Sequence, residues 1–143
     1  MLLRAVLCSL LLSVLSFTSA SAAVRIEASN GGQIGEYIRL FAMVRQSGER
    51  VIIDGPCLSA CTLVLSVVPR ERICVTRRAV LGFHAAWTPD EDGRPLPHPK
   101  ATRLLMATYP RDIQNWVRQR GGLTKRTILL RGRELTALYR PCS

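Results

Sequence analysis

Apolar and charged positions alternate in VRIEAS (24–29), the period of a half-buried strand. NGG (30–32) breaks the pattern with a turn of high backbone freedom. In QIGEYIRLFAMVRQSG, Ile34, Tyr37, Ile38, Phe41 and Val44 recur at helical spacing, and Ser47-Gly48 marks the stop. ERVIID (49–54) is a second β-rich run, ended by Gly55-Pro56. Strand, glycine turn, helix and strand make a βαβ unit, which predicts a parallel pair joined by a right-handed crossover.

LSACTLVLSVV (58–68) is apolar on every side, so periodicity does not separate a buried helix from a buried strand. Its place after a strand and a Gly-Pro turn predicts a short buried helix. ERICVT (71–76) and RAVLGFH (78–84) read as short strands, and TPDEDGRPLPHP (88–99) as a loop rich in Pro, Gly and acids. Helical spacing returns over 100–122 with Pro110 inside it, which predicts two helices or one kinked helix. A last short helix is expected from Thr127 or Gly132 to Tyr139, and no internal repeat is present.

The first residues change the picture of the chain's fate. Arg4, a Leu- and Val-rich run to about Phe17, and the small residues Ala20-Ser21-Ala22 have the three-part layout of a secretory signal (1–22). The apolar run is short for a membrane span of roughly 20 residues, so cleavage after Ala22 is expected. That leaves 121 residues, one domain over 23–143, in the periplasm or outside the cell, with a formal charge of +9 once Arg4 is gone.

The charge is mostly scattered arginine and suits anionic partners. No aromatic residues interleave it as nucleic-acid binding needs, so a solvated basic surface is the simpler account. Export also leaves four cysteines, Cys57, Cys61, Cys74 and Cys142, an even number that reads as two disulfides. Three pairings exist. On one helix face Cys57 and Cys61 would be close but strained as a pair. The preferred arrangement is one bridge in the central block, through Cys74, and one that ties down the tail through Cys142. Their spacing with His84 fits no usual zinc pattern, so no metal or other cofactor is expected.

Candidate chemistry centres on GPCLSACTLVL (55–65). Acyl transfer needs a nucleophile, a base and donors for an oxyanion. Ser59 stands where a helix starts after a strand, so its hydroxyl can sit at the strand's end with the Ala60 N–H aimed at developing charge. NGG ends the preceding parallel strand, and Gly31 or Gly32 can add a second donor because glycine allows close approach. His84 ends another strand, beside the small Ala85 and Ala86. Each residue also has a plain reading: a serine packed on a stapled turn, a structural histidine, an ordinary glycine turn. Their order along the chain favours the chemical reading.

SNGGQIGEYIRLF, GPCLSACTLVL and AVLGFHAAW together resemble the Clp protease proteolytic subunit and its relatives in the crotonase-like superfamily. The nearest likeness is to an exported bacterial branch with a Cys-x-Ser-Ala-Cys block and a Gly-x-His block, matched by Cys57–Cys61 and Gly82-Phe83-His84. The likeness covers roughly Arg25 to Ala86. It implies an α/β fold of the crotonase-like (Clp-type) kind, a spiral of βαβ units with a minimal core. It implies Ser59 as nucleophile, His84 as base 25 residues later, and the N–H groups of Gly32 and Ala60 as the oxyanion hole.

The family's acid has no clean counterpart, with a non-acid near Thr127 at the corresponding place. The acids at hand are Asp90, Glu91, Asp92, Asp112 and Glu134. A backbone or other partner would then orient the imidazole. The expected function is an exported serine hydrolase acting on peptide or protein through an acyl-enzyme, with no ATPase partner. The alternative is a non-catalytic binding module on the same fold. A thiol oxidoreductase fits less well, because the spacing is Cys-x-x-x-Cys. The short first strand leaves an edge for a partner chain or a homo-oligomer to cover.

Overall fold

A computed structural model describes residues 22–143. The expected signal segment lies outside the described residues, apart from Ala22. The chain forms a mixed α/β domain. Strand β1 (Ala23–Ile26) leads through the glycine turn into helix α1 (Ile34–Ser47), which stops at Gly48 in the left-handed region (φ 77°). Strand β2 (Arg50–Ile53) returns parallel to β1, pairing Val24 with Val51 and Ile26 with Ile53. The predicted βαβ unit is therefore present. Phe41 and Val44 form its buried helical face.

Gly55-Pro56 does not end the extended chain. It moves the chain to a second sheet, where β3 (Pro56–Leu58) begins at once. A Cβ at Gly55 would overlap the Glu27 carbonyl, so only glycine lets the two chain segments cross here. A 3-10 turn (Ser59–Leu63) and the short helix α2 (Val64–Val67) follow, so the short buried helix expected from the position after a strand and a Gly-Pro turn is present as two helical pieces. Another 3-10 turn takes up Arg70–Arg72, so the strand expected over 71–76 narrows to β4 (Ile73–Val75). β4 pairs in parallel with β2, giving the order β1-β2-β4.

Strand β5 (Val80–Phe83) pairs in parallel with β3 and antiparallel with β8 (Ile128–Arg131). Of the two helix starts expected, Thr127 and Gly132, the second is found: residues 128–131 pair with β5, and α5 (Gly132–Leu138) starts at Gly132. The expected loop over 88–99 contains a hairpin, β6 (Trp87–Pro89) with β7 (Pro95–Pro97). Its prolines read as breakers, but a two-stranded ribbon has two open edges where missing N–H groups cost nothing. Asp90 Oδ1 closes its turn by accepting from the N–H groups of Asp92 and Arg94. Pro110 separates α3 (Pro99–Thr108) from α4 (Arg111–Arg118), the two-helix outcome.

The two sheets and the helices enclose one core in which Val51, Ile53, Leu81, Ile113, Val117 and Leu130 are fully buried. Phe83 meets Tyr109 edge-on at 5.4 Å between ring centroids and Trp116 at 5.7 Å, so the end of β5 is locked against the α3–α4 corner. Two disulfides brace this small core: Cys57–Cys61 and Cys74–Cys142. The tail bridge is as expected, but Cys74 is its partner rather than a member of the central bridge. Cys57 lies on β3 and Cys61 in the 3-10 turn, so the pair does not share a helix face and the expected strain does not arise.

Candidate active site

Ser59 follows β3 directly and has φ +56°, the one non-glycine residue with positive φ among those described. A serine in this region costs about 1–3 kcal/mol, so neighbouring groups must hold it there. Several do. The Thr62 hydroxyl donates to the Ser59 carbonyl at 2.7 Å. With its proton committed there, Thr62 Oγ1 accepts from the Tyr109 hydroxyl at 2.6 Å. Burial pushes the Tyr109 phenol up to about 12, so it remains a donor throughout the neutral range. The Cys57–Cys61 bridge closes a short loop around the serine.

The glycine turn lies against this elbow. Gly31 has φ +82°, and a Cβ on it would fall 2.6 Å from both the Leu58 carbonyl oxygen and Ser59 Cβ. The turn thus meets the serine through bare backbone. The Gly31 N–H is used by Ser29 Oγ at 3.3 Å, which is itself hydrogen-bonded to the Tyr37 hydroxyl. That leaves the Gly32 N–H, the donor the sequence pointed to, with no acceptor among the described residues. The Ala60 N–H lies in the first turn of a helical segment, where N–H groups have no intrahelical acceptor.

His84 follows β5. Backbone bonds fix the segment after it: the Ala85 N–H donates to the Thr124 carbonyl, and the His98 N–H donates to the Ala86 carbonyl. The His84 Nδ1–H donates to the Ala85 carbonyl at 2.7 Å, because a carbonyl can only accept. In the neutral ring the lone pair is then on Nε2. A carbonyl therefore takes the orienting position that an acid would hold. Four of the five candidate acids are engaged elsewhere: Asp90 and Asp92 with Arg94, Asp112 with Arg70 and Glu134 with Arg120, while Glu91 makes no ion pair among the described residues. Among the described residues no carboxylate hydrogen-bonds to His84.

Ser59, Ala60, Gly31, Gly32 and His84 line one open cleft of about 760 Å³. The structure thus brings together all four sequence-predicted catalytic and oxyanion positions. No hydrogen bond joins Ser59 to His84. Cys57, Cys61, Cys74 and Cys142 are all in disulfides and lie outside the chemistry.

Thr62, Tyr109 and His98 were not singled out from the sequence. Thr62 and Tyr109 are 47 residues apart, and no local pattern links them. His98 also borders the cleft and caps α3, its Nδ1 accepting from the Ala101 N–H at 3.2 Å. The pair His98-Pro99, a polar residue before proline at a helix start, was the available signal.

Comparison with known proteins gives no match: no protein-family model, no curated protein and no solved structure aligns with the chain.

Proposed function

We propose that this chain is an exported serine hydrolase, peptidase-like, that works through an acyl-enzyme on a crotonase-like (Clp-type) spiral. The observation that carries the reading is the left-handed backbone of Ser59 at a strand-to-helix turn, held against a glycine turn and facing the same cleft as His84. Non-glycine residues held in this region cluster where strain serves function. Ser59 Oγ attacks a peptide carbonyl while His84 Nε2 accepts its proton. The Gly32 and Ala60 N–H groups receive the oxyanion, and the imidazolium then protonates the departing amine. Water hydrolyses the ester by the reverse path. Two disulfides suit a chain working in an oxidising compartment. β1 has an open outer edge, which a second copy would cover.

A fluorophosphonate probe tests the reading directly. It should label the folded wild type at Ser59 and leave Ser59→Ala and His84→Ala unlabelled or nearly so. Absence of labelling on a protein whose unfolding transition is intact refutes it.

A non-catalytic binding module has one observation in its favour, the carbonyl in place of an acid at His84. It predicts peptide capture that Ser59→Ala leaves unchanged.

A further inference from the structure

A second and smaller cavity of about 270 Å³ borders His84. Its walls are Ala85, Ala86, the Trp87 indole and the rings of Pro95 and Pro97, with Lys125 beside them. The two cavities meet along His84–Trp87, which lines both. Neither Ser59 nor the oxyanion donors border the small one. Just below the usual range for ligand pockets, it has room for one residue rather than a stretch of chain.

The chemistry of a serine hydrolase gives the two sides different meanings. The acyl half of the substrate stays on Ser59 with its carbonyl oxygen at the Gly32 and Ala60 N–H groups, so it occupies the large cleft. The leaving amine must lie on the histidine side, because His84 delivers its proton. The small cavity borders His84 and none of the acyl-side groups. Its apolar walls suit an aliphatic or aromatic side chain, and its one cation, Lys125, makes no salt bridge among the described residues. A single residue departing as an amine with an anionic group beside its side chain is a C-terminal amino acid.

We infer that the small cavity is a leaving-group subsite that takes one apolar C-terminal residue and pairs its free carboxylate with Lys125, making the enzyme a carboxypeptidase. The inference rests on the serine-hydrolase reading above. The reaction is a hydrolysis. Ser59 Oγ bonds to the carbonyl carbon as the last C–N bond breaks, and the serine proton passes through His84 Nε2 to the departing nitrogen. Water then adds hydroxyl to the acyl carbon and returns a proton to Ser59. The products are the shortened peptide and one free amino acid.

The test uses two acetylated tripeptides, Ala-Ala-Phe as free acid and as C-terminal amide, with cleavage read by mass spectrometry alongside fluorophosphonate labelling. The wild type should cleave the free acid about tenfold more efficiently in kcat/KM, the scale of one partly screened charge-assisted bond. The ratio should collapse toward unity in Lys125→Met and survive in Lys125→Arg. A wild type that labels but cleaves both peptides equally, or a preference that persists in Lys125→Met, overturns the carboxypeptidase assignment and leaves the serine chemistry standing. A folded wild type that does not label overturns both.

Discussion

Replacing Thr62 with valine removes one oxygen and keeps the shape. Thr62 is fully buried at 0 % exposure. Its oxygen makes two bonds, donating to the Ser59 carbonyl and accepting from Tyr109. Valine strands both partners. A buried polar group left unpaired costs about 1–3 kcal/mol. Ser59 and Tyr109 both border the cleft, so water can reach part of the vacated space. The expected destabilisation is therefore about 2–3 kcal/mol rather than the full sum.

Tyr109→Phe is the matched control. It removes the outer donor and leaves the Thr62–Ser59 bond in place, for about 1 kcal/mol. The site should feel the difference more sharply than the fold does. Losing about 2 kcal/mol of hold on a strained serine lets it relax, which slows acylation roughly 30-fold at about 1.4 kcal/mol per decade. Urea unfolding followed by tryptophan fluorescence reads the first effect, and the rate constant of fluorophosphonate labelling reads the second. If Thr62→Val stays within about 0.5 kcal/mol of wild type, the spread of neutral surface changes, and labels at the same rate, the hydrogen-bonded hold on Ser59 is wrong.

Other consequences are equally open to measurement. Ser59→Gly should be more stable than Ser59→Ala by about 1 kcal/mol in urea unfolding, because alanine keeps the left-handed strain and glycine removes it; equal stabilities would argue against strain. Losing Cys74–Cys142, which spans 68 residues, should cost about 4 kcal/mol by loop entropy, and losing Cys57–Cys61, which spans 4, only about 2. Labelling should follow the opposite order among molecules that remain folded, since only the short bridge encloses Ser59; equal labelling loss in the two double alanine variants would contradict this.

The Arg78 guanidinium, helped by the Thr76 hydroxyl and Arg25, holds the Asp54 carboxyl well below the usual carboxylate range. The unfolded chain takes up the proton first, so this stabilisation is complete above about pH 4 and declines as the pH falls further. Acid unfolding of Asp54→Asn should show a shallower slope there; an unchanged slope would assign the acid limb to other groups.

Much of the order along the chain is legible in its local sequence pattern. Alternation in VRIEAS, the helical spacing from Ile34 to Val44 and the β-rich run after Gly48 are local signals, and each became the expected element. Pro110 divides the later helices for an equally local reason, its missing N–H and fixed φ. The candidate residues Ser59, Ala60 and His84 were also readable, since each stands at the end or start of such an element, whereas the choice of Gly32 over Gly31 rested on the family resemblance.

Short strands were another matter. β3 has three residues and β8 four, and their identity lies in pairing with β5, not in their own pattern. TILLRGRELTAL (127–138) reads as well as a helix start as it does as a strand followed by a helix. The hydrogen bonds to β5 decide it.

Sequence alone determined the class of element at most positions and the kind of chemistry its residues could perform. That information is carried by periodicity, turn residues and side-chain type, all of which act over a few neighbours. Only the tertiary structure decided that Cys74 finds Cys142, that Tyr109 reaches Thr62 and that Asp112 and Glu134 face arginines and not His84. Those pairings depend on distances between segments dozens of residues apart. Packing of two sheets around one core sets them, and no local preference encodes them.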